Sequence, residues 1–277
     1  MTKHDGHDDF GGLARDLPLF AKFESRRSIL GVLLGAVAVP LIGCPTAMST
    51  TDSGASGGSD APNPGVDTGG GTCSPIPSET GGPYPGDGSN GPNILTQSGV
   101  VRADIRSSIG TATGVAAGVV MRVTLTILDT SCAPRAGYAV YLWHCTADGN
   151  YSMYSASVAS ENFLRGVQVT DSNGQVTFTT IVPGCYSGRW PHMHFEVYPS
   201  LASATTNSNA VKTSQLAVPQ ATCDATYTQS GYSASVANLA AISLATDNVF
   251  RDGSSQQVAS VTGDVTSGFD ASLAVTV

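Results

Sequence analysis

Apolar and polar positions alternate along several short stretches of the chain. Val100–Arg106, Met121–Asp129, Gly137–Cys145, Gln175–Val182, His192–Pro199 and Thr213–Pro219 each show a period of two, are rich in Val, Thr and aromatic residues, and are bounded by Gly, Pro, Asp or Asn. Two further alternations, QQVASVTG and ASLAVTV, close the sequence. Period two places successive side chains on opposite faces, so these segments are predicted strands. Val236–Phe250 is the best helical stretch, and CDATYTQSGYSASV has room for a short helical turn. Many short strands separated by turn signals predict an all-β fold, a β-sandwich of mixed or antiparallel strands with long loops and one or two short helices. No internal repeat interrupts this pattern.

The pattern fails upstream of Cys73. From Pro45 to about residue 72 the sequence is a Gly/Ser/Thr/Pro tract with too little apolar surface to fold, which predicts a flexible linker. Glu79–Asn93, ETGGPYPGDGSNGPN, is turn-dense and predicts a long coil at the start of the folded domain, residues 73–277. Residues 1–44 have a different character. Arg26 and Arg27 precede an apolar run, Ile29–Ile42, of about 14 residues, against the roughly 20 that a membrane span requires. A basic pair followed by a short apolar run predicts an export signal, with a pairing similar to the twin-arginine type. The sequence Leu41–Cys44, LIGC, resembles a bacterial lipobox, which would lipidate Cys44 and tether an extracytoplasmic domain to the outer face of a membrane.

Composition sharpens two points. Charged residues are 12% of the 277, against a usual share of roughly 25%. The net charge is −8, and the first 43 residues are neutral, so the deficit of positive charge falls on the remainder. An acidic remainder without a Lys/Arg cluster argues against a nucleic-acid partner. Beyond Cys44 the cysteines are Cys73, Cys132, Cys145, Cys185 and Cys223. In an oxidising compartment five thiols allow two disulfides and one left over, and Cys145–Cys185 is one expected pairing. No C-x-x-C pair is present, which argues against a thiolate zinc site.

The candidate chemistry lies in GCYSGRWPHMHFEV, residues 184–197. Beyond the prefix the histidines are His144, His192 and His194. On a strand, residues i and i+2 share a face, so His192 and His194 can reach one ion. An isolated H-x-H is as readily a pair of packed or exposed histidines, and two tyrosines shift that balance. Tyr186 precedes His192 by six positions, and Tyr151 stands eight after Trp143, each beside a glycine turn. Imidazole suits Zn, Cu, Fe and Ni. Phenolate binding requires loss of a proton with a pKa of about 10, which a strongly acidic trivalent ion can drive. Two phenolates and a hydroxide neutralise a charge of +3, which favours Fe(III) over a divalent ion.

The segments YLWHCTADGNYS, NFLRGVQVTDSNGQVTFTTIVPGCYSGRWPHMHFEV and TSQL, together with ETGGPY, resemble the intradiol ring-cleavage dioxygenases, the family of protocatechuate- and catechol-cleaving enzymes. The combination W-x7-Y, PG-x-Y and R-x-x-H-x-H carries the resemblance. It implies a non-heme Fe(III) enzyme that cleaves the ring of a catechol-type aromatic diol with O2 to a cis,cis-muconate-type product. It implies Tyr151, Tyr186, His192 and His194 as metal ligands, with Tyr186 also acting as general base, Arg189 as the group stabilising negative charge on the ring, and Gln215 as an active-site glutamine. Tyr154 lies close to Tyr151, and the spacing from Trp143 selects Tyr151. The chain departs from the family in the short Tyr186–His192 interval, in Cys185 where a bulkier residue is common, and in lacking the helical dimerisation segment of catechol-cleaving relatives. The last departure points toward a monomer. A competing reading is a membrane-tethered β-sandwich module that binds carbohydrate or an aromatic polymer and carries a non-catalytic metal. Another is a copper or zinc site using His192 and His194 alone.

Overall fold

The computed structural model describes residues 72–277. The export signal and all but the last residue of the linker lie outside them. Eight strands form two four-stranded sheets, as the alternating pattern predicts. In chain order they are β1 (Val120–Leu128), β2 (Ala139–Trp143), β3 (Arg165–Val169), β4 (Gln175–Ile181), β5 (His192–Tyr198), β6 (Lys212–Ala217), β7 (Ser260–Asp264) and β8 (Gly268–Thr276). One sheet has the order β4-β1-β8-β7 and the other β3-β2-β5-β6. The β1–β8 pair is parallel and the remaining strand pairs are antiparallel. Two short helices, α1 (Gln220–Thr226) and α2 (Ser233–Ala240), follow β6. Among the described residues no helix is long and apolar enough to cross a membrane.

The sheets pack face to face. Met121, Val123, Leu125 and Ile127 of β1 meet Val140 and Leu142 of β2 and Met193, Phe195 and Val197 of β5 in one apolar core. Strand alternation then sends His192, His194, Glu196 and Tyr198 to the other face of β5. That face is buried too, since all seven residues of β5 are inaccessible. Its cover is the coil read over residues 79–93 and the residues just after it. Ile94 and Leu95 join Tyr141, Trp143, Tyr151 and Tyr198 in a second apolar cluster. The Glu79 amide donates to the Thr213 carbonyl, 2.9 Å, and that of Ile94 to the Gly86 carbonyl, 2.8 Å. The β3-β2-β5-β6 sheet is therefore covered on both sides, and polar side chains on its outer face lie in a desolvated layer.

Four sequence expectations are corrected. Val100–Arg106 is not a strand. Val100 and Ile105 are buried while Val101 is 51% exposed, so the segment does not keep the period of two. Its amides reach both sheets, from Arg102 to the Val167 carbonyl at 2.9 Å and from Ile105 to Thr179 at 3.0 Å, which makes it a stitch across the sandwich. The second correction is β3, whose alternation is diluted by Gly166 and Gln168 and which the pattern did not single out. Third, the helix expected over Val236–Phe250 ends at Ala240. Ser243 and Thr246 then bond to each other through side chain and backbone, a turn that competes with helix. Fourth, the disulfide joins Cys73 to Cys132, and Cys145, Cys185 and Cys223 are buried free thiols. Cys145 donates to the Gly184 carbonyl at 3.5 Å and Cys185 to that of Arg189 at 3.4 Å. Burial raises the pKa of both thiols, that of Cys185 to about 12.

Candidate active site

Strand register builds the floor of the site. Arg165 of β3, Trp143 of β2, His194 of β5 and Gln215 of β6 stand directly opposite one another across four neighbouring strands. The Trp143 and His194 rings stack, with centroids 5.0 Å apart and planes inclined by 6°. His192, two residues along β5, shares the face of His194.

The two tyrosines arrive on loops. Tyr151 follows the turn after β2, and Tyr186 the turn after β4. These turns lie against each other, with the Gly184 amide donating to the Thr146 carbonyl at 3.0 Å. A Cβ at Gly184 would sit 2.3 Å from the Ala147 carbonyl oxygen, so only glycine permits this approach. Tyr151 is 2% exposed, whereas Tyr186 is half-buried with its hydroxyl turned inward.

Four polar atoms converge. His192 Nε2 lies 3.1 Å from His194 Nε2 and 3.3 Å from Tyr186 Oη. Tyr186 Oη in turn is 3.5 Å from Tyr151 Oη. His192 Nδ1 lies 2.5 Å from the Trp190 carbonyl. A carbonyl only accepts, so Nδ1 carries the proton and Nε2 presents its lone pair to the cluster. Burial first, and Arg189 next, hold His192 well below the usual histidine range. Burial, His192 and Arg189 do the same to His194. Both rings are therefore neutral donors. Burial raises Tyr151 well above the usual phenol value, with Tyr186 adding to the effect. It pushes Tyr186 up to about 12 against the opposing charge of Arg189. Both phenols keep their protons at neutral pH unless a strong cation replaces them.

The spacing fits a metal. Neighbouring ligands on an ion with bonds of about 2.0–2.2 Å at tetrahedral to right angles are about 2.8–3.6 Å apart, and the separations above fall in that range. Tyrosine is essential to the set, because among the described residues no three His, Cys, Asp or Glu side chains come together in a metal-binding group.

Arg189 and Gln215 lie in the same buried layer. Arg189 Nη2 donates to Gln215 Oε1 at 2.6 Å, and Gln215 Nε2 to the Thr80 carbonyl at 2.8 Å. Tyr154 is directed elsewhere, its hydroxyl accepting from the Gly86 amide at 2.9 Å and donating to the Asn90 carbonyl at 3.1 Å. The third histidine, His144, is also a packing residue. It bonds Thr180 Oγ1 at 2.6 Å and the Cys145 carbonyl at 2.8 Å, and burial lowers it to about 4.

Sequence reasoning missed several partners. Asp247 is fully buried and its Oδ2 accepts from Arg189 Nε at 2.9 Å. In the sequence it stood inside an expected helix. The nearest available signal was its suitability as a turn former before Asn248-Val249, which indicates a cap rather than a buried ion pair. Arg165, within NFLRGVQV, carries no local signal of its buried role. Gly82 has φ +70°, and a Cβ there would lie 3.2 Å from His194 Cε1.

An all-β sandwich whose buried outer face gathers two phenols, two imidazoles and an arginine presents a donor set that fits a metal ion. The model of a family described as dioxygenase matches residues 90–206, the stretch that holds Tyr151, Tyr186, Arg189, His192 and His194. A chlorocatechol 1,2-dioxygenase of Rhodococcus opacus is 39% identical over 66 residues, 24% of this chain and 26% of that protein. The match thus spans about a quarter of the curated relative. An intradiol ring-cleavage dioxygenase of Tetranychus urticae superposes with a TM-score of 0.57 at 24% identity, covering 74% of this chain and 94% of that one. A second dioxygenase crystal structure gives a TM-score of 0.56 at 25% identity over the same shares. Residues 90–206 thus resemble the dioxygenase family, and the chain shares the fold of an intradiol ring-cleavage dioxygenase.

Proposed function

We propose that this chain is an exported Fe(III)-dependent intradiol dioxygenase that cleaves catechol-type diols to cis,cis-muconate-type acids. The observation that carries the reading is the convergence of Tyr151, Tyr186, His192 and His194, with contacts of 3.1–3.5 Å. These four side chains would hold the iron. When bound, the iron supplies Lewis acidity and a site at which diol and O2 chemistry can occur. A Cys73–Cys132 disulfide, with its preference for an oxidising compartment, supports export.

The protein's own part follows from burial and reach. His192 and His194 are fixed from behind, one by the Trp190 carbonyl and the other by its stack on Trp143. Tyr151 is locked beneath Tyr84, with ring centroids 5.2 Å apart. Tyr186 is the half-buried member of the four. It can turn outward, and its Oη as phenolate takes a proton from the incoming diol. Arg189 places fixed positive charge beside Tyr186 and the cluster, where a ring that becomes anionic is stabilised without reorganisation. The covering coil, anchored through Thr80 to Gln215, keeps bulk water from this layer.

The test is oxygen uptake by the iron-loaded protein with catechol, hydroxyquinol and protocatechuate. Stoichiometric consumption with at least one diol is expected. Binding of all three without uptake would replace the enzyme by a binding module. A second expectation concerns the cover. Gly82→Ala forces a side chain into the left-handed region, at about 1–2 kcal/mol, and presses on His194. Iron affinity should fall roughly 10–100-fold, the effect typical of losing a group that orients a ligand. An unchanged iron titration would show that the coil does not hold His194.

A further inference from the structure

Asp247 is the one acidic side chain in the ion pair beside the cluster, and its bonds are divided in an informative way. It has no exposure to solvent. Oδ2 accepts from Arg189 Nε at 2.9 Å and from the Trp190 amide at 2.7 Å. Oδ1 accepts from the Val249 amide at 2.8 Å and the Phe250 amide at 3.1 Å. The carboxylate is thus fixed by three backbone amides before it meets the guanidinium. Gln215 takes Nη2 of Arg189 from the other side at 2.6 Å. Arg189 is thus held at Nε by Asp247 and at Nη2 by Gln215. Phe250, whose amide the same carboxylate holds, packs on His192 with ring centroids 6.4 Å apart.

We propose that Asp247 is a positioning residue: it sets the orientation of the Arg189 guanidinium toward the reacting ring and thereby the rate of the chemical step. This rests on the role given to Arg189 above. A charge held by two rigid partners is preorganised, whereas a guanidinium on a free side chain must be ordered in each turnover. Asparagine cannot replace Asp247 without loss. Either its NH2 faces Arg189 Nε–H and the Trp190 amide, or it faces the amides of Val249 and Phe250, and each choice opposes donor to donor.

The test is a double-mutant cycle on the iron-loaded protein with Asp247→Asn, Arg189→Gln and both together. It reads kcat per bound iron with saturating diol, iron content, and the dissociation constant of 4-nitrocatechol as a slowly reacting probe. Asp247→Asn is expected to lower kcat about 100-fold, the scale of a misplaced catalytic group. Iron content should be unchanged and probe affinity within about fivefold of wild type, because the interaction is made in the transition state. In the Arg189→Gln background the same change should alter kcat less than about twofold, because its target is gone. Equal factors in both backgrounds would mean that Asp247 acts through the fold, and an unchanged kcat would mean that it does not act; either overturns the proposal. If Asp247→Asn does not fold, Asp247→Glu keeps the charge and moves it by a methylene. A fall of about tenfold in kcat is then expected, and wild-type kcat would overturn the proposal. A wild-type protein that binds the probe and cleaves no diol removes the functional reading itself, an outcome distinct from failure of the cycle.

Discussion

Tyr151→Phe is expected to give a folded protein that has lost at least about 100-fold in iron affinity and on the order of 1000-fold in ring cleavage. The two halves of this expectation have separate causes. Phenylalanine keeps the ring that packs against Tyr84 and Tyr186, at centroid distances of 5.2 and 5.9 Å. The lost hydroxyl has Tyr186 Oη as its neighbour at 3.5 Å, too long for a strong O–H···O bond, so its removal leaves no partner stranded. Thermal stability of the metal-free protein should change by less than about 1 kcal/mol. The proposed iron site, in contrast, would lose one of its two anionic donors and with it the charge that distinguishes a trivalent ion. The checks are metal analysis, the visible absorption expected of phenolate bound to ferric iron, and oxygen uptake. A variant with wild-type colour and rate would remove Tyr151 from the ligand set.

Arg165→Met is expected to cost roughly 3–5 kcal/mol of stability, near the effect of breaking a buried charged network. Arg165 is completely buried, and its guanidinium is surrounded by oxygen acceptors. Nε donates to Ser152 Oγ at 3.0 Å, Nη1 to the Pro85 carbonyl at 2.7 Å and to Tyr141 Oη at 3.2 Å, and Nη2 to the carbonyls of Tyr84 and Ser152, each at 2.9 Å. One side chain thereby joins the covering coil, at Tyr84-Pro85, to the loop that begins with Tyr151-Ser152. Methionine fills a similar length but leaves the Tyr84 and Ser152 carbonyls in a desolvated layer, at about 1–3 kcal/mol each. Against a total of about 5–15 kcal/mol, that is a large fraction. Urea unfolding followed by circular dichroism measures it. Arg165→Lys, which retains the charge but not the fork, should fall between the two. If Arg165→Met unfolds at the wild-type midpoint, the coil is held by its apolar residues instead.

The architecture was legible because burial follows period two. Strands β1, β4 and β8 bury alternate positions, β2 and β5 send alternate residues into the core between the sheets, and the predicted segments overlap all five. The candidate site was legible for the same reason: His192 and His194 had to share a face, and the glycine turns before both tyrosines fixed where loops would enter. Other features depended on partners distant in sequence. Val100–Arg106 reads as a strand until its amides are seen divided between two sheets. Arg189 finds Asp247 58 positions away, and no local period encodes such a pairing. Cys145 and Cys185, an expected disulfide, each turn the thiol to a backbone carbonyl instead. The sequence also did not distinguish a half-buried strand from one buried on both faces. In β5 that difference places the two imidazoles in a desolvated layer.

The central proposal is cleavage of the bond between the hydroxylated carbons of a catechol, with both atoms of O2 retained in the ring-opened product. The most direct measurement is mass spectrometry of the product formed by the iron-loaded protein from catechol under 18O2. The expected result is a muconic acid that has gained one O2 with both added atoms labelled, formed in proportion to bound iron and absent from Tyr151→Phe. An intact ring, a semialdehyde from cleavage beside the diol, or a product whose added oxygen atoms carry no label would contradict the claim.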